Sequence, residues 1–281
     1  MDDFRGKVVA VTGAASGLGA EIARAFARRG ARLELCDVDS DRLCGICREL
    51  ERAGAEVSME VVDVSRAEQV GAWSEHVLER SGAVDVLVNN AGVTCAGRFE
   101  ALTLDDWEWI AGIDFWGVIY GCHFFYPRMK ERGRGHIVNI SSAAAHAPLP
   151  LMSAYGTLKA AVLAFSQSLR GEGAAYGIGV SVVCPGAMNT NIADSMRLIS
   201  PAGRMSLDPK AMEGSRTVRF LRGSIGTPAR VAEQVVRAVE RDRGIVNAGI
   251  ETKLLDLFWR VNRRLAVAGL RTSLRLIDRH L

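Results

Sequence analysis

Lys7-Val8-Val9-Ala10-Val11-Thr12-Gly13-Ala14-Ala15-Ser16-Gly17-Leu18-Gly19 decides how this chain folds. Val8 to Val11 form an unbroken apolar run, as a strand covered on both faces requires. Three glycines follow at once. Gly13 permits a tight turn, Gly17 lets the backbone approach a phosphate, and Gly19 lets a helix pack closely on the strand. The pattern then turns helical over 17–29, with Gly30 as its stop. A helix opening on such a loop offers free N–H groups and a partial positive charge to a pyrophosphate. The spacing is G-x-x-x-G-x-G, and glycines alone are a weak signal. A strand before them and a helix after them make dinucleotide binding the expectation.

Working outward, the same alternation recurs. Strand patterns fall at 31–37, 57–62, 84–89, 136–141 and 179–184, with helical patterns at 39–53, 66–80, 104–131 and 153–176. Strands separated by helices of this length imply right-handed crossovers. The expected fold is therefore α/β: a doubly wound, Rossmann-type parallel sheet with helices on both faces. An edge strand at 244–248 would bring the sheet to about seven strands. Thr227 and Pro228 start a further helix as N-cap and first residue. Residues 1–250 read as one domain. Within it, 189–226 carries prolines, glycines and arginines without periodicity and reads as a substrate lid.

Composition is ordinary for a globular chain, 48% hydrophobic and 24% charged, which excludes a disordered or fibrous protein. The net charge of +3 lies in the tail. Residues 251–281 hold seven basic residues against three acidic ones and read as a basic helical extension. Without a basic stripe on the main body, nucleic acid is not an expected partner. Leu254, Leu255, Phe258, Val261 and Leu265 recur at helical spacing. They suit packing against the lid or a neighbouring subunit, or, less commonly, a membrane surface. Cys44 and Cys47 form a lone pair without a second pair at zinc spacing, so no metal is expected. The short acidic start is not a signal peptide, and no apolar run spans a bilayer. A cytoplasmic protein with reduced thiols is expected.

The second informative stretch is Tyr155-Gly156-Thr157-Leu158-Lys159. On a helix, residues four apart share a face. A free phenol has a pKa of about 10 and is a poor base. A cation beside it favours the phenolate. Tyr155 can then exchange a proton with an alcohol oxygen while hydride moves between the carbinol carbon and a nicotinamide. Ser142 would position the substrate oxygen. Asp37, at the end of the second strand, stands where a carboxylate meets the adenosine ribose hydroxyls and repels a 2′-phosphate. NAD is thus expected over NADP.

Together these features resemble the short-chain dehydrogenase/reductase family. The match runs over roughly 5–190 and adds Asp63-Val64, Asn89-Asn90-Ala91-Gly92 and Pro185-Gly186 with Thr190. The resemblance implies cofactor contacts from Thr12, Gly13, Ser16, Gly17, Leu18, Gly19, Asp63, Val64, Asn90, Ala91, Gly92, Tyr155, Lys159, Pro185, Gly186, Met188 and Thr190. It selects Ser142 over Ser141 by its interval to Tyr155. It also implies a homodimer or homotetramer formed through 104–131 and 153–176. Ile113-Asp114-Phe115-Trp116-Gly117-Val118 departs from the family pattern, with Asp114 where a catalytic Asn usually stands. An ionised Asp114 would strengthen the lysine's hold on its proton and oppose the phenolate, shifting the pH optimum. A catalytically impaired dinucleotide-binding sensor or scaffold is the rival reading.

Apolar residues between Ser142 and Tyr155, with Met188 and Met196, lean toward a hydrophobic secondary alcohol or ketone. His146 and Leu149 are further candidate substrate contacts. A membrane-surface enzyme acting on a lipid is the remaining alternative.

Overall fold

Val8, Val9, Ala10 and Val11 are almost wholly shielded from water, and they divide between two faces. Val9 and Val11 enter one apolar cluster, Val8 and Ala10 the other. That is the two-residue alternation of a central strand with helices on both sides. The structure is a computed structural model. It describes residues 3–147, 149–186, 188, 197–200, 203–205 and 226–261.

The strand is β1 (Val8–Thr12), leading into α1 (Gly17–Ala27). Next come β2 (Arg32–Asp37), α2 (Ser40–Arg52), β3 (Val57–Val61), α3 (Ala67–Ser81) and β4 (Val86–Asn89). Asp39 caps α2 by accepting the Arg42 N–H, so Asp37 is not needed as a cap. Cys44 and Cys47 both lie on α2. After β5 (Cys95–Gly97) come α4 (Leu104–Ala111), α5 (Gly117–Arg132), β6 (Gly135–Ile140), α6 (Ser153–Ala174) and β7 (Ile178–Pro185). The chain continues with β8 (Arg197–Ser200), β9 (Gly203–Met205), α7 (Pro228–Glu240), β10 (Ile245–Ala248) and α8 (Ile250–Val261).

The main sheet has seven parallel strands in the order β10-β7-β6-β4-β1-β2-β3. On one face Ile22 and Phe26 of α1 meet Val231, Val235 and Val239 of α7. On the other, Trp73 of α3, Phe125 of α5 and Val162 of α6 cover the strands. The order reverses between β1 and β4, so their carboxyl ends open a crevice, the usual ligand position in such sheets. Among the described residues no helix is long and apolar enough to cross a membrane.

Two features depart from expectation. The helix expected over 104–131 is interrupted, because residues Gly112–Trp116 form a π-helical turn between α4 and α5. Gly112 and Gly117 bound it where a Cβ would press on Ser65 (3.1 Å) and Val64 (3.0 Å). A second, small sheet, β5-β8-β9, was not expected. Its strands have three, four and three residues, too short for a hydrophobic alternation to show. The expected lid lies mostly outside the described residues. Met188, just before it, and Gly226, its last residue, are joined by a parallel bridge.

Candidate active site

The crevice is floored by the loop after β1. Gly13 and Gly17 have φ of 65° and 53°, in the left-handed region that glycine tolerates. A Cβ on Gly13 would lie 2.7 Å from Ala91 Cα, and one on Gly19 would strike the Gly13 carbonyl. Ser16 precedes α1 without capping it, and the first turn has no acidic residue. The opening N–H groups are therefore left for a phosphate. Thr12 Oγ1 accepts the N–H groups of Asn90 (3.0 Å) and Ala91 (3.1 Å). Asn90 Nδ2 donates to the carbonyls of Thr12 and Gly13, both at 3.0 Å. Asn90 thus braces the glycine loop. Leu18 points into the core.

Asp37 supports the same loop. One carboxylate oxygen accepts the Ala15 N–H at 2.9 Å, and the other accepts the Asp39 N–H at 3.0 Å. Asp63 holds the turn after β3 through the N–H and hydroxyl of Ser65, while Val64 is buried. Pro185 ends β7, and Gly186 N–H donates to the Ala248 carbonyl. Thr190 and Met196 lie outside the described residues. A loop that a Cβ would fill, an uncapped helix start and a carboxylate at the end of β2 together fit a dinucleotide.

Beside this cradle the strand ends bring four side chains together. Ser141 and Ser142 follow β6. Ser141 Oγ donates to the Lys159 carbonyl at 2.7 Å, a bond that ties α6 to the strand end. Ser142 stands close enough to Tyr155 for its hydroxyl to draw the phenol down. Tyr155 and Lys159 occupy the first turns of α6, with Nζ 5.7 Å from the phenol ring centre. Lys159 Nζ lies 3.0 Å from Asp114 Oδ2, and Val93 N–H donates to Asp114 Oδ1 at 2.7 Å. Asp114 is wholly buried and Lys159 is 4% exposed. A Cβ on Gly92 would come within 3.2 Å of Nζ, so glycine leaves the ammonium its room.

Burial pushes the Tyr155 phenol up; Lys159 draws it down, Asp114 pushes it up, and Ser142 draws it down. The net direction is up. Lys159 and Asp114 thus act in the opposed directions expected of them, and burial is the contribution that the sequence reading left out. For Lys159, burial draws the ammonium down, but Asp114 and Tyr155 hold it up, and it ends above its usual value. Burial raises the Asp114 carboxyl against the opposing pull of Lys159 and the Val93 N–H.

Of the expected substrate contacts, Leu149 is exposed and Met188 is partly buried against the core. His146 is a correction. Its ring is buried, with Nε2 2.8 Å from Asn247 Oδ1 and Nδ1 3.3 Å from Asp256 Oδ1, so both ring nitrogens are engaged within the protein. Sequence reading also missed a buried chain: Asn89 Nδ2 donates to Asn139 Oδ1 (2.8 Å), and Asn139 Nδ2 to Ser166 Oγ (2.9 Å). A polar residue inside each apolar pattern was its only trace.

The short chain dehydrogenase family profile matches residues 7–198. "Probable oxidoreductase EphD" of Mycobacterium tuberculosis is 40% identical over 246 residues, covering 86% of this chain but 41% of EphD. The chain thus spans less than half of that relative. The 2-(R)-hydroxypropyl-CoM dehydrogenase of Xanthobacter autotrophicus is 34% identical over 245 residues, covering 86% of this chain and 94% of the relative. A short chain dehydrogenase/reductase from Burkholderia phymatum, solved in complex with NAD, superposes with a TM-score of 0.84 at 30% identity, over 94% of this chain and 96% of that one. The extent of these matches, on a fold and site that agree with them, makes this chain a member of the short-chain dehydrogenase/reductase family.

Proposed function

We propose that the protein is an NAD-dependent dehydrogenase/reductase that interconverts a hydrophobic secondary alcohol and its ketone. The observation that carries this reading is the meeting of Ser142, Tyr155 and Lys159 beside the glycine cradle. Bound there, the nicotinamide would supply the hydride acceptor or donor. Tyr155 Oη would take the alcohol proton in oxidation and return it in reduction. Ser142 would hold the substrate oxygen by a hydrogen bond. Lys159, kept charged by Asp114, would bias the phenol toward its anion and hold the nicotinamide ribose. Asp37 would receive the adenosine ribose hydroxyls and repel a 2′-phosphate. The apolar wall before Tyr155 favours a lipid, terpenoid, polyketide or steroid type of substrate. A cytoplasmic homodimer or homotetramer, assembled through α4, α5 and α6, accompanies this reading.

The test is NADH formation from a panel of hydrophobic secondary alcohols, with NADP in parallel. Turnover is expected with NAD, and Tyr155→Phe should lower it by roughly 10²–10⁴-fold. Undiminished turnover in that variant would remove Tyr155 from the chemistry. Asp37→Ser should narrow the preference for NAD.

A second reading, a membrane-surface enzyme, rests on Leu254, Leu257, Phe258 and Val261. These residues form an exposed stripe along α8. Sedimentation with anionic liposomes that is lost in Phe258→Asp would support it, and absence of sedimentation would end it.

A further inference from the structure

His146 closes the turn that Ser142 opens. Ser142 Oγ accepts the Ala144 N–H, Ala145 N–H donates to the Ser142 carbonyl, and His146 N–H donates to the Ala143 carbonyl. The ring then leaves the site and meets two other segments. Nε2 lies 2.8 Å from Asn247 Oδ1 on β10, and Nδ1 lies 3.3 Å from Asp256 Oδ1 on α8. Asn247 Nδ2 donates to Asp256 Oδ2 at 3.0 Å. An ionised carboxylate only accepts, so it fixes which end of the Asn247 amide faces the ring. Nε2 is therefore the donor to Asn247. Nδ1 binds the Asp256 carboxylate when it too carries a hydrogen, as an imidazolium, and the three side chains from three segments then each orient the other two. The helix they anchor exposes Leu254, Leu257 and Val261, so its outer face does not hold it to the domain.

We propose that His146 and Asp256 are positioning residues, through which α8 holds the Ser142 turn in the place that substrate oxygen requires. Helix α8 then belongs to the catalytic apparatus without touching the reacting atoms. The catalytic consequence rests on the dehydrogenase reading; the tie between helix and turn does not.

The experiment compares Asp256→Ala, Asp256→Asn and Lys253→Ala in the full chain, by amide hydrogen exchange and by steady-state kinetics. Asp256→Ala should speed exchange in 142–147 and lower kcat by about 10- to 100-fold, the cost of a small misplacement. NAD affinity should hold, since the glycine loop lies elsewhere. In Asp256→Asn the amide oxygen accepts from Asn247 and its NH₂ donates to Nδ1, so exchange and kcat should recover. Lys253→Ala, on the exposed face, should resemble wild type. Unchanged exchange in 142–147 in Asp256→Ala overturns the tie. Unchanged kcat, or failure of Asp256→Asn to recover, overturns the positioning role. A wild-type chain without turnover would count against the dehydrogenase reading, and the exchange result would still decide the tie.

Discussion

Asp114 carries the sharpest consequence of a single side chain. It pairs with Lys159 out of contact with water, where removing one partner of an ion pair typically costs roughly 3–5 kcal/mol. Asp114→Asn keeps an oxygen for the Val93 N–H but deletes the charge. Asp114 pushes the Tyr155 phenol up, so its removal should draw the phenol down. Alcohol oxidation needs the phenolate, so the acid limb of the kcat profile should move to lower pH, and the melting temperature should fall. Superimposable profiles would show that the charge is not felt at Tyr155. Residues of this kind were legible where their relation is local. Tyr155 and Lys159 are one turn apart, and Ser142 stands at a strand end. His146 was misread because its partners lie on β10 and α8, about a hundred positions away, and nothing near it in sequence points to them.

At the scale of elements, the π-helical turn sets where Asp114 points. A wide turn places one more residue between α4 and α5 than a regular helix would, and such turns often mark functional sites. Gly117→Ala would bring a Cβ to 3.0 Å from Val64 Cγ2. It should cost about 1–3 kcal/mol, the usual range for overpacking, and disturb the approach of Asp114 to Lys159. The check is a melt together with the pH profile of kcat. A stable variant with an unaltered profile would separate the turn from the site. The helical stretch was readable from its apolar spacing, but that spacing does not distinguish a regular helix from one with a wide turn. Gly112 and Gly117 were the available signal. The chain Asn89–Asn139–Ser166 was hidden for another reason. It joins β4, β6 and α6, and pairing between distant elements leaves no local period.

Across the molecule, His136 makes stability depend on pH. Its ring sits between β6 and β7 and is 4% exposed. Nε2 lies 2.8 Å from Ser181 Oγ, whose own hydrogen goes to the Arg243 carbonyl, so His136 is the donor. Burial pushes the imidazole down from 6.5 to about 4, against the pull of Asp242. The folded value is depressed, so stability is full above 6.5 and falls as pH drops toward 4. The unfolded chain takes up the proton first. The loss from this one group is up to about 3 kcal/mol. Melting temperatures of wild type should decline across that window, and those of His136→Gln should decline less. Parallel curves would assign acid sensitivity elsewhere. The parallel, doubly wound sheet was readable in advance because alternating strands and helices leave few ways to wind, whereas the order of its strands was not read. The bridge between Met188 and Gly226 has a consequence for descent. The chain leaves after β7 and comes back ahead of α7 at one neck, so whatever lies between has a fixed address. Insertions, deletions or an exchanged cassette there need not move a strand of the main sheet, so that stretch can diverge while the way the rest folds is inherited unchanged.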